Sequence, residues 1–255
     1  MRSIAILGAA MLLACGDNHP SPIQVPPGAL SILVFTKQND WQHPSNPVAA
    51  QALADLAARK GWAVTLTADA GAITADRLAH TDVVIFSLTS ANILGDGQRA
   101  SLEAFFRGGG GFVGIHSASY TEWDWPFYLA NLVPVTFKTH PSPVNVQPGS
   151  LTIEDRDFLT ADLPSPWLRS DEFYSFNQRP EDIAGLHMLV ALDESSLGPD
   201  YNPPKIGYHP LAFTHELSGG RTFYTALGHT PESYSDPAFM AMLERGIEWA
   251  GRLVP

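Results

Sequence analysis

Gly108-Gly-Gly-Gly-Phe-Val-Gly-Ile-His116-Ser-Ala-Ser-Tyr120 is the stretch around which the rest of the chain is arranged. Its four glycines end whatever helix precedes them, and the apolar run that follows is typical of a strand buried on both faces of a parallel sheet. His116 stands at the carboxyl end of that strand, where open α/β sheets bind their ligands. We therefore interpret His116 as a functional residue, with a simple core histidine as the alternative.

The glycine run does not have the arrangement of a phosphate-binding loop. Such a loop follows a strand and opens a helix, so that the amides at the helix N-terminus meet the phosphate. Here the glycines follow a helical pattern at 95–107 and open a strand. The run is a helix stop and a turn.

The segments before this stretch alternate between strand and helix patterns. Apolar runs predict strands at 30–36, 63–67 and 82–87, and helical patterns follow them. The first helix begins at Pro47 and stops at Gly61, as expected of Pro at the first helical position and Gly at the C-cap. This alternating order predicts a parallel sheet with right-handed crossovers and helices on both faces.

The second half of the chain has short β-rich runs separated by proline-rich turns. Its predicted strands are 151–154, 172–176, 186–192, 211–216 and 222–227. Gly219-Gly220 predicts a hairpin turn between the last two strands, and a closing helix begins at Pro237. The expected fold class is α/β: a three-layer sandwich with a mostly parallel central sheet and extra antiparallel strands in the C-terminal half.

Composition restricts the class of ligand. The 255 residues carry a formal net charge of −11, and they include no run rich in lysine or arginine. Nucleic acids and anionic membrane surfaces need a basic footprint, so we exclude both as direct partners. A neutral or cationic small molecule is easier to accommodate.

The N-terminus has the pattern of an export signal. An apolar run from Ile4 to Ala14 follows Arg2, is too short to span a bilayer, and ends at Cys15, the one cysteine of the chain. This pattern resembles a bacterial lipoprotein signal with a lipid-modified Cys15, and an ordinary secretory signal is the alternative. We expect a signal segment at 1–15, a proline-rich tether at 16–29, and one domain at 30–252.

Candidate chemical groups recur at predicted strand ends and in loops, without forming one compact motif. They are His43, His116, His140, Asp171-Glu172, His209 and His229. Several histidines beside a carboxylate suit either a transition metal or acid–base chemistry, and their spacing does not decide between these or a structural role. Because neighbouring residues on a strand point to opposite faces, only one of Asp171 and Glu172 should face a common site, and we choose Glu172.

Aromatic residues are concentrated in loops near these histidines: Trp41, Trp123, Trp125, Tyr128, Phe173 and Tyr174. Each of them could simply pack in the core. Together they favour a platform for sugar rings, whose C–H faces pack on aromatic faces.

Several stretches, in order, resemble the ThuA-like (trehalose-utilisation) family. They are Gly109 to His116, Asp124-Trp125 with Phe127-Tyr128, Phe137 to Pro141, Asp171 to Tyr174, Ala191 to Glu194, His209 to Ala212, and Gly220 to Tyr224 through Leu227-Gly228-His229. The resemblance covers about Leu30 to Gly251 and implies a fold like that of class I glutamine amidotransferases, which is flavodoxin-like. At the nucleophile elbow of those enzymes this chain has His116 instead of cysteine, so glutaminase chemistry through an acyl-thiol intermediate is excluded.

The resemblance implies a role in carbohydrate catabolism on a sugar or an oxidised (keto) glycoside, by acid–base chemistry with or without a divalent transition metal. It also implies a partner sugar dehydrogenase that makes the keto sugar. The expected catalytic residues are His116 and Glu172, each as a base or a metal ligand. The expected metal ligands are His140, His209 and His229, with donation to the enolate as the alternative role. The expected substrate contacts are His43, Trp125, Tyr128, Lys138 and Tyr174.

Two other classes of function stay open at this point. One is a non-catalytic lipoprotein that binds sugar, and the other is an interaction domain on the same scaffold. In every case we expect an exported protein, anchored to the cell envelope through Cys15 on its periplasmic or cell-surface face and touching the membrane only through that anchor.

Overall fold

A computed structural model of the chain describes residues 28–254. The predicted signal segment with Cys15, and most of the predicted tether, lie outside the described residues. Within the described residues, no helix is both long enough and apolar enough to cross a membrane.

The described part of the chain folds into strands and helices in mixed order. The strands are β1 (Ser31–Phe35), β2 (Ala63–Thr67), β3 (Val83–Ser87), β4 (Gly111–Ile115), β5 (Phe137–Thr139), β6 (Gln147–Ile153), β7 (Trp167–Asp171), β8 (Ser175–Phe176), β9 (Leu186–Asp193), β10 (Pro210–Leu217) and β11 (Gly220–Thr225). The α-helices are α1 (Asn46–Lys60), α2 (Ala75–Leu78), α3 (Asp96–Arg107) and α4 (Pro237–Ala250). Strands β5 and β8 form a separate two-stranded sheet.

The other nine strands form one sheet in the order β2-β1-β3-β4-β11-β10-β9-β6-β7. Neighbouring strands from β2 to β11 run parallel. Neighbouring strands from β11 to β7 run antiparallel. The glycine-led stretch at 108–120 supplies β4, which lies between β3 and β11 and is buried along its whole length. This is the expected α/β sheet, with its antiparallel strands contributed by the second half of the chain.

Helices cover the parallel half of the sheet. α1 and α4 both contact the turn at 231–235 on one side, while α2 packs against α3. The last glycine of the run at 108–111 is required for this packing: a Cβ on Gly111 would lie 2.5 Å from the carbonyl oxygen of Ala250 in α4. Close approach of a helix to a strand is a common reason for glycine inside a strand.

Several local predictions differ from the structure. The strand predicted at 151–154 is β6, which begins at Gln147 and ends at Ile153, and β7 was not predicted. We predicted a single strand at 172–176, but β7 ends at Asp171 and residues 172–174 leave the sheet, because the Asp171 carboxylate binds backbone N–H groups outside the sheet. The hairpin between β10 and β11 turns at Ser218-Gly219, one residue earlier than predicted. Both turn residues have positive φ, as a two-residue hairpin of this kind requires.

Candidate functional site

Four side chains from four separate segments meet at one edge of the sheet. His43 follows β1, His116 follows β4, His229 follows β11, and Glu172 follows β7. Each offers one nitrogen or oxygen atom, and these four atoms all lie within 4.8 Å of one another. The carboxyl ends of parallel strands share one edge, which explains why three histidines distant in sequence come together. We call these four residues the histidine–glutamate cluster.

His116 occupies a strained backbone corner. Its φ is +53°, in the left-handed region that costs a residue with a side chain on the order of 1 kcal/mol or more. It begins a short helical turn directly after β4, and the hydroxyl of Tyr224 holds its carbonyl oxygen at 2.9 Å. This strand-to-helix corner is the geometry of a nucleophile elbow, with an imidazole in place of a thiol or hydroxyl.

Hydrogen bonding fixes the tautomer of His116. Its Nδ1 lies 2.7 Å from the carbonyl oxygen of Ala226, which only accepts, so Nδ1 carries the proton. Nε2 then offers a lone pair, and it lies 3.1 Å from Nδ1 of His229 and 3.2 Å from Oε2 of Glu172. The third side of this triangle, from His229 Nδ1 to Glu172 Oε2, is 3.0 Å. A histidine that donates one N–H to a carbonyl and directs the other nitrogen into a donor cluster is the usual arrangement around a metal.

His43 closes the cluster as a neutral imidazole. Its ring centre lies 4.9 Å from that of His116 and 5.3 Å from that of His229. Burial, followed by the neighbouring His116 and His229, lowers the pKa of His43 to about 2. Its Nδ1 accepts a hydrogen bond from the amide of Gln38, which also donates to the carbonyl of Leu88. With Nδ1 accepting, the proton of the neutral ring lies on Nε2, so His43 can donate a hydrogen bond but offers no free lone pair in this arrangement.

Glu172 supplies the negative charge of the cluster and is only 3% exposed. Burial alone would raise the pKa of its carboxyl, but the adjacent imidazoles of His116 and His229 outweigh burial and hold that pKa well below the ordinary value. Asn145 donates to Oε1 at 2.7 Å, which leaves Oε2 directed at the two imidazoles. Glu172 is therefore ionised and oriented as a ligand.

A cavity of about 160 Å³ opens above the cluster. It is lined by Asp40, Trp41, His43, Ser117, Tyr120, Phe137, His140, Glu172 and Tyr174. Glu172 and His43 are buried and form its inner end, whereas Trp41 is 61% exposed and marks its mouth. The Tyr174 ring lies 4.2 Å from the His116 ring, so it covers the cluster on one side. Burial, and then the Glu172 charge, raise the pKa of Tyr174 well above the ordinary value, so it stays protonated.

The three histidines predicted as metal ligands occupy different places. His229 belongs to the cluster. His140 lines the cavity, with Nδ1 at 3.7 Å from Glu172 Oε1 and at 2.8 Å from the carbonyl oxygen of Pro141. His209 lies outside the cluster: its Nδ1 contacts Glu194 at 2.9 Å and its Nε2 contacts the carbonyl oxygen of Tyr174 at 2.8 Å. The structure thus places His209 as a buried support for Tyr174.

Two of the five predicted substrate contacts, His43 and Tyr174, line the cavity. The other three lie elsewhere. Trp125 is 8% exposed and Tyr128 is fully buried, with its hydroxyl donating to the carbonyl of Ala118 at 2.7 Å. Both pack in the core beneath the helical turn that follows His116. Lys138 lies in β5 and lines a separate cavity that also includes His209.

Sequence reasoning missed Gln38 and Asn145, and it set Asp171 aside. Gln38 follows β1, so its position at a strand end was an available signal. Asn145 lies in the loop before β6, and no local sequence pattern predicts the path of that loop. Asp171 does not belong to the cluster, but its carboxylate accepts hydrogen bonds from the backbone N–H groups of Glu172, Gly228 and His229.

A second group of ligand-type side chains lies away from the cavity. His187 Nε2 is 3.3 Å from Asp155 and 3.5 Å from Asp157. The His187 and Asp155 side chains are about half exposed. Exposed ion pairs of this kind are common and weak, so the group serves best as a matched control for the buried cluster.

The sequence profile of the family described as trehalose utilisation, ThuA, matches residues 31–250. The chain belongs to the ThuA family. The match includes all four residues of the histidine–glutamate cluster. No curated protein matches the sequence at a significant level.

Solved structures of ThuA-like proteins share this fold. One from Bacteroides uniformis has a TM-score of 0.74 at 19% identity, covering 91% of this chain and 95% of that one. Another from Parabacteroides merdae has a TM-score of 0.65 at 19% identity, covering 88% and 90%. The carbohydrate deacetylase Agd3 matches with a TM-score of 0.54 at 14% identity, over 88% of this chain and 33% of that protein. These likenesses support the class I glutamine amidotransferase-like fold of the family.

Proposed function

We propose that this ThuA protein is an enzyme of carbohydrate catabolism that binds a sugar or an oxidised (keto) glycoside and uses a divalent transition metal. The observation that carries the proposal is the buried histidine–glutamate cluster at the inner end of a cavity. The family's relation to trehalose utilisation supports a carbohydrate ligand. The net charge of −11 favours a neutral ligand over an anionic one.

The chemistry of the donor set fits a transition metal. Imidazole nitrogen and carboxylate oxygen are ligands typical of Zn²⁺, Fe²⁺ and Ni²⁺. His116 Nε2 and Glu172 Oε2 lie 3.2 Å apart, and both are acceptors when His116 is neutral. His229 has one proton to share with both of them. A cation at this point would satisfy all three atoms and balance the buried carboxylate.

A keto glycoside is a suitable substrate for such a site. Its keto group acidifies the neighbouring C–H, so that removal of this proton by a base allows the glycosidic oxygen to leave by elimination. The ion, when bound, would act as a Lewis acid on the keto oxygen and on the enolate. The protein then has to hold the ring, exclude water and supply the base.

His140 is the best-placed general base. It lines the cavity, and its Nδ1 donates to the carbonyl oxygen of Pro141 at 2.8 Å. Within the described residues its Nε2 makes no hydrogen bond, so a lone pair is free for a substrate proton. In this assignment His116 and Glu172, which the sequence singled out as catalytic, act as ligands, and Tyr174 and Phe137 cover the ring.

The test is an activity assay with chelation and metal restoration. We expect the purified protein to release the leaving sugar from chemically prepared 3-keto disaccharides, to lose activity with a chelator, and to regain it with one of Zn²⁺, Mn²⁺, Fe²⁺ or Ni²⁺. Glu172→Gln should reduce the rate on the order of 10²-fold or more. His187→Ala is the matched control and should have no effect. Tight sugar binding that never leads to turnover would favour a non-catalytic sugar-binding protein instead.

Export and anchoring form a separate proposal, supported by the sequence at 1–15 alone. We propose that Cys15 is lipid-modified and holds the protein on the cell envelope, near a sugar dehydrogenase that supplies the keto substrate. Labelling of growing cells with a radioactive fatty acid should mark the wild-type protein and leave Cys15→Ser unlabelled. Label retained by Cys15→Ser would contradict the anchor.

A further inference from the structure

The cavity above the cluster is too small for more than one sugar ring. Its volume is about 160 Å³, whereas sites that enclose a drug-sized ligand measure roughly 300–1,000 Å³. Its inner end is closed by buried residues, Glu172 and His43 among them. Any larger ligand must therefore extend outward past the mouth.

Two exposed tryptophans flank that mouth. Of the six tryptophans in the chain, four are buried, with exposures of 9% or less: Trp62, Trp125, Trp167 and Trp249. The two others are Trp41, 61% exposed, and Trp123, 43% exposed. Trp41 lines the cavity, and the Trp123 ring lies 4.8 Å from the ring of Tyr120, which also lines it. Exposed indoles gathered at one opening indicate a binding surface.

The loop that carries Trp41 is firmly held, so its exposure does not result from a loose segment. The Trp41 carbonyl accepts a hydrogen bond from Ser90 at 2.9 Å, and the Asn39 side chain donates to the carbonyl of Asn92 at 2.8 Å. Asp40, between them, accepts from the Tyr120 hydroxyl at 2.9 Å. The loop is thus tied to both neighbouring segments. A pre-organised aromatic surface binds without the cost of ordering a loop.

The mouth combines apolar faces with polar groups. The Phe137 ring lies 5.7 Å from the Tyr120 ring, which continues the aromatic wall from Tyr174 outward to Trp123. Asp40 and the partly exposed His140 stand beside this wall and can exchange hydrogen bonds with hydroxyl groups. A sugar ring has both an apolar C–H face and a rim of hydroxyls. A lipid chain would not use Asp40 or His140, and a nucleic acid would be repelled by Asp40.

We infer that Trp41 and Trp123 form a second subsite, which binds the ring attached to the one held in the cavity. The inference rests on the proposed function and deepens it: the ligand is a glycoside of at least two rings, with the leaving ring on the tryptophans. These two residues then determine specificity for the leaving group.

The test compares disaccharides with their own monosaccharide units. Calorimetric titration of the full chain with trehalose, maltose, cellobiose, sucrose and lactose, and with glucose, galactose and fructose, gives the effect of the second ring. We expect at least one disaccharide to bind about tenfold more tightly than either of its units. Trp123→Ala should reduce that advantage while leaving monosaccharide affinity unchanged, and Trp41→Ala, whose ring also lines the cavity, should reduce disaccharide affinity more than monosaccharide affinity. Leu168→Ala removes another exposed apolar side chain, 73% exposed on β7, and should change neither affinity.

The outcomes separate this inference from the proposed function. Monosaccharide binding with no gain from a second ring, or a gain that survives both tryptophan substitutions, overturns the subsite and leaves the cavity's role intact. Equal loss of monosaccharide and disaccharide affinity in the tryptophan variants also overturns it. Absence of binding by every sugar, and by the 3-keto disaccharides of the activity assay, contradicts both the subsite and the carbohydrate part of the proposed function. Melting temperatures near that of the wild type confirm that each variant is folded.

Discussion

Asp171 holds the backbone of His229. Its Oδ1 accepts from the His229 N–H at 3.1 Å and from the Glu172 N–H at 2.9 Å, while Oδ2 accepts from the Gly228 N–H at 2.9 Å. Arg169 donates to Oδ2 at 2.8 Å and balances the charge. Three strands separate β7 from β11 in the sheet, so this contact joins segments that no strand pairing brings together. One buried carboxylate thus positions two members of the cluster.

Asp171→Asn should weaken metal binding although Asp171 touches no ligand atom of the cluster. Both carboxylate oxygens of Asp171 accept from backbone N–H groups, whereas an asparagine has one oxygen that accepts and one NH₂ group that does not. The substitution therefore leaves either His229 or Gly228 without its acceptor. We expect metal affinity to fall roughly 10–100-fold, with an altered visible spectrum of the Co²⁺-loaded protein. The free energy of unfolding should also fall, by about 3–5 kcal/mol.

Cobalt titration of the purified variant measures this effect. Asp200→Asn removes an exposed carboxylate and is the control. A folded Asp171→Asn protein with wild-type cobalt affinity and spectrum would contradict the positioning role.

Gly228→Ala should displace His229 and destabilise the fold. Gly228 has a φ of +104°, and a Cβ there would lie 2.9 Å from the Tyr234 hydroxyl and 3.0 Å from the Phe239 ring. Backbone strain and overlap together should lower the free energy of unfolding by about 2–4 kcal/mol. Gly198→Ala, where a Cβ meets nothing within 4 Å, is the control for chemical denaturation. Equal stability of the two variants would show that the corner at Gly228 is not constrained.

Tyr128→Phe separates a core role from a substrate role. The Tyr128 hydroxyl donates to the carbonyl of Ala118 within the core. Its removal should lower the free energy of unfolding by about 1 kcal/mol and leave sugar affinity unchanged. Urea denaturation and sugar titration of the same protein sample measure both quantities. A loss of sugar affinity without a loss of stability would indicate that Tyr128 contacts the substrate.

Glu194→Gln should change how stability depends on pH. Burial raises the pKa of the Glu194 carboxyl, but the backbone N–H groups of Ile206 and Gly207, and then His209, lower it below its ordinary value overall. A depressed carboxyl pKa stabilises the fold above the unfolded-state pKa of about 4.3, and this contribution is lost as the pH falls further, through the lowered folded-state pKa.

We therefore expect Glu194→Gln to cost about 1–3 kcal/mol at pH 7 and progressively less below about pH 4. Urea denaturation at several pH values gives the free energy of unfolding of the variant and of the wild type as a function of pH. If the difference in free energy of unfolding between the variant and the wild type stayed constant down to about pH 2, the ionisation of Glu194 would not contribute to stability.

The parallel half of the fold could be predicted because local patterns determine it. The strand at 63–67 has the predicted bounds, and α1 ends at the predicted C-cap, Gly61, which has left-handed backbone angles. The path after β7 could not be predicted, because hydrogen bonds that Asp171 accepts from the distant loop at Gly228 and His229 determine it. A run such as 172–176 has strand propensity, and tertiary contacts override that propensity.

The site could be predicted only in part, for a similar reason. His43, His116 and His229 each follow a parallel strand, and topology brings the ends of such strands together. No local pattern separates His209, paired with Glu194 behind the cavity, from a ligand. Nor does any pattern distinguish the core residue Trp125 from the exposed Trp41, since burial depends on how the loops pack.

Metal analysis of the purified protein shows whether the histidine–glutamate cluster is a metal site. The wild type, His116→Ala and His187→Ala are loaded with a divalent transition metal and freed of excess metal. The metal content of each protein is then measured by elemental mass spectrometry. We expect about one ion per chain in the wild type and in His187→Ala, and near loss of the ion in His116→Ala. Absence of bound metal in the wild type after loading, or equal metal in His116→Ala, would contradict a metal site at the cluster.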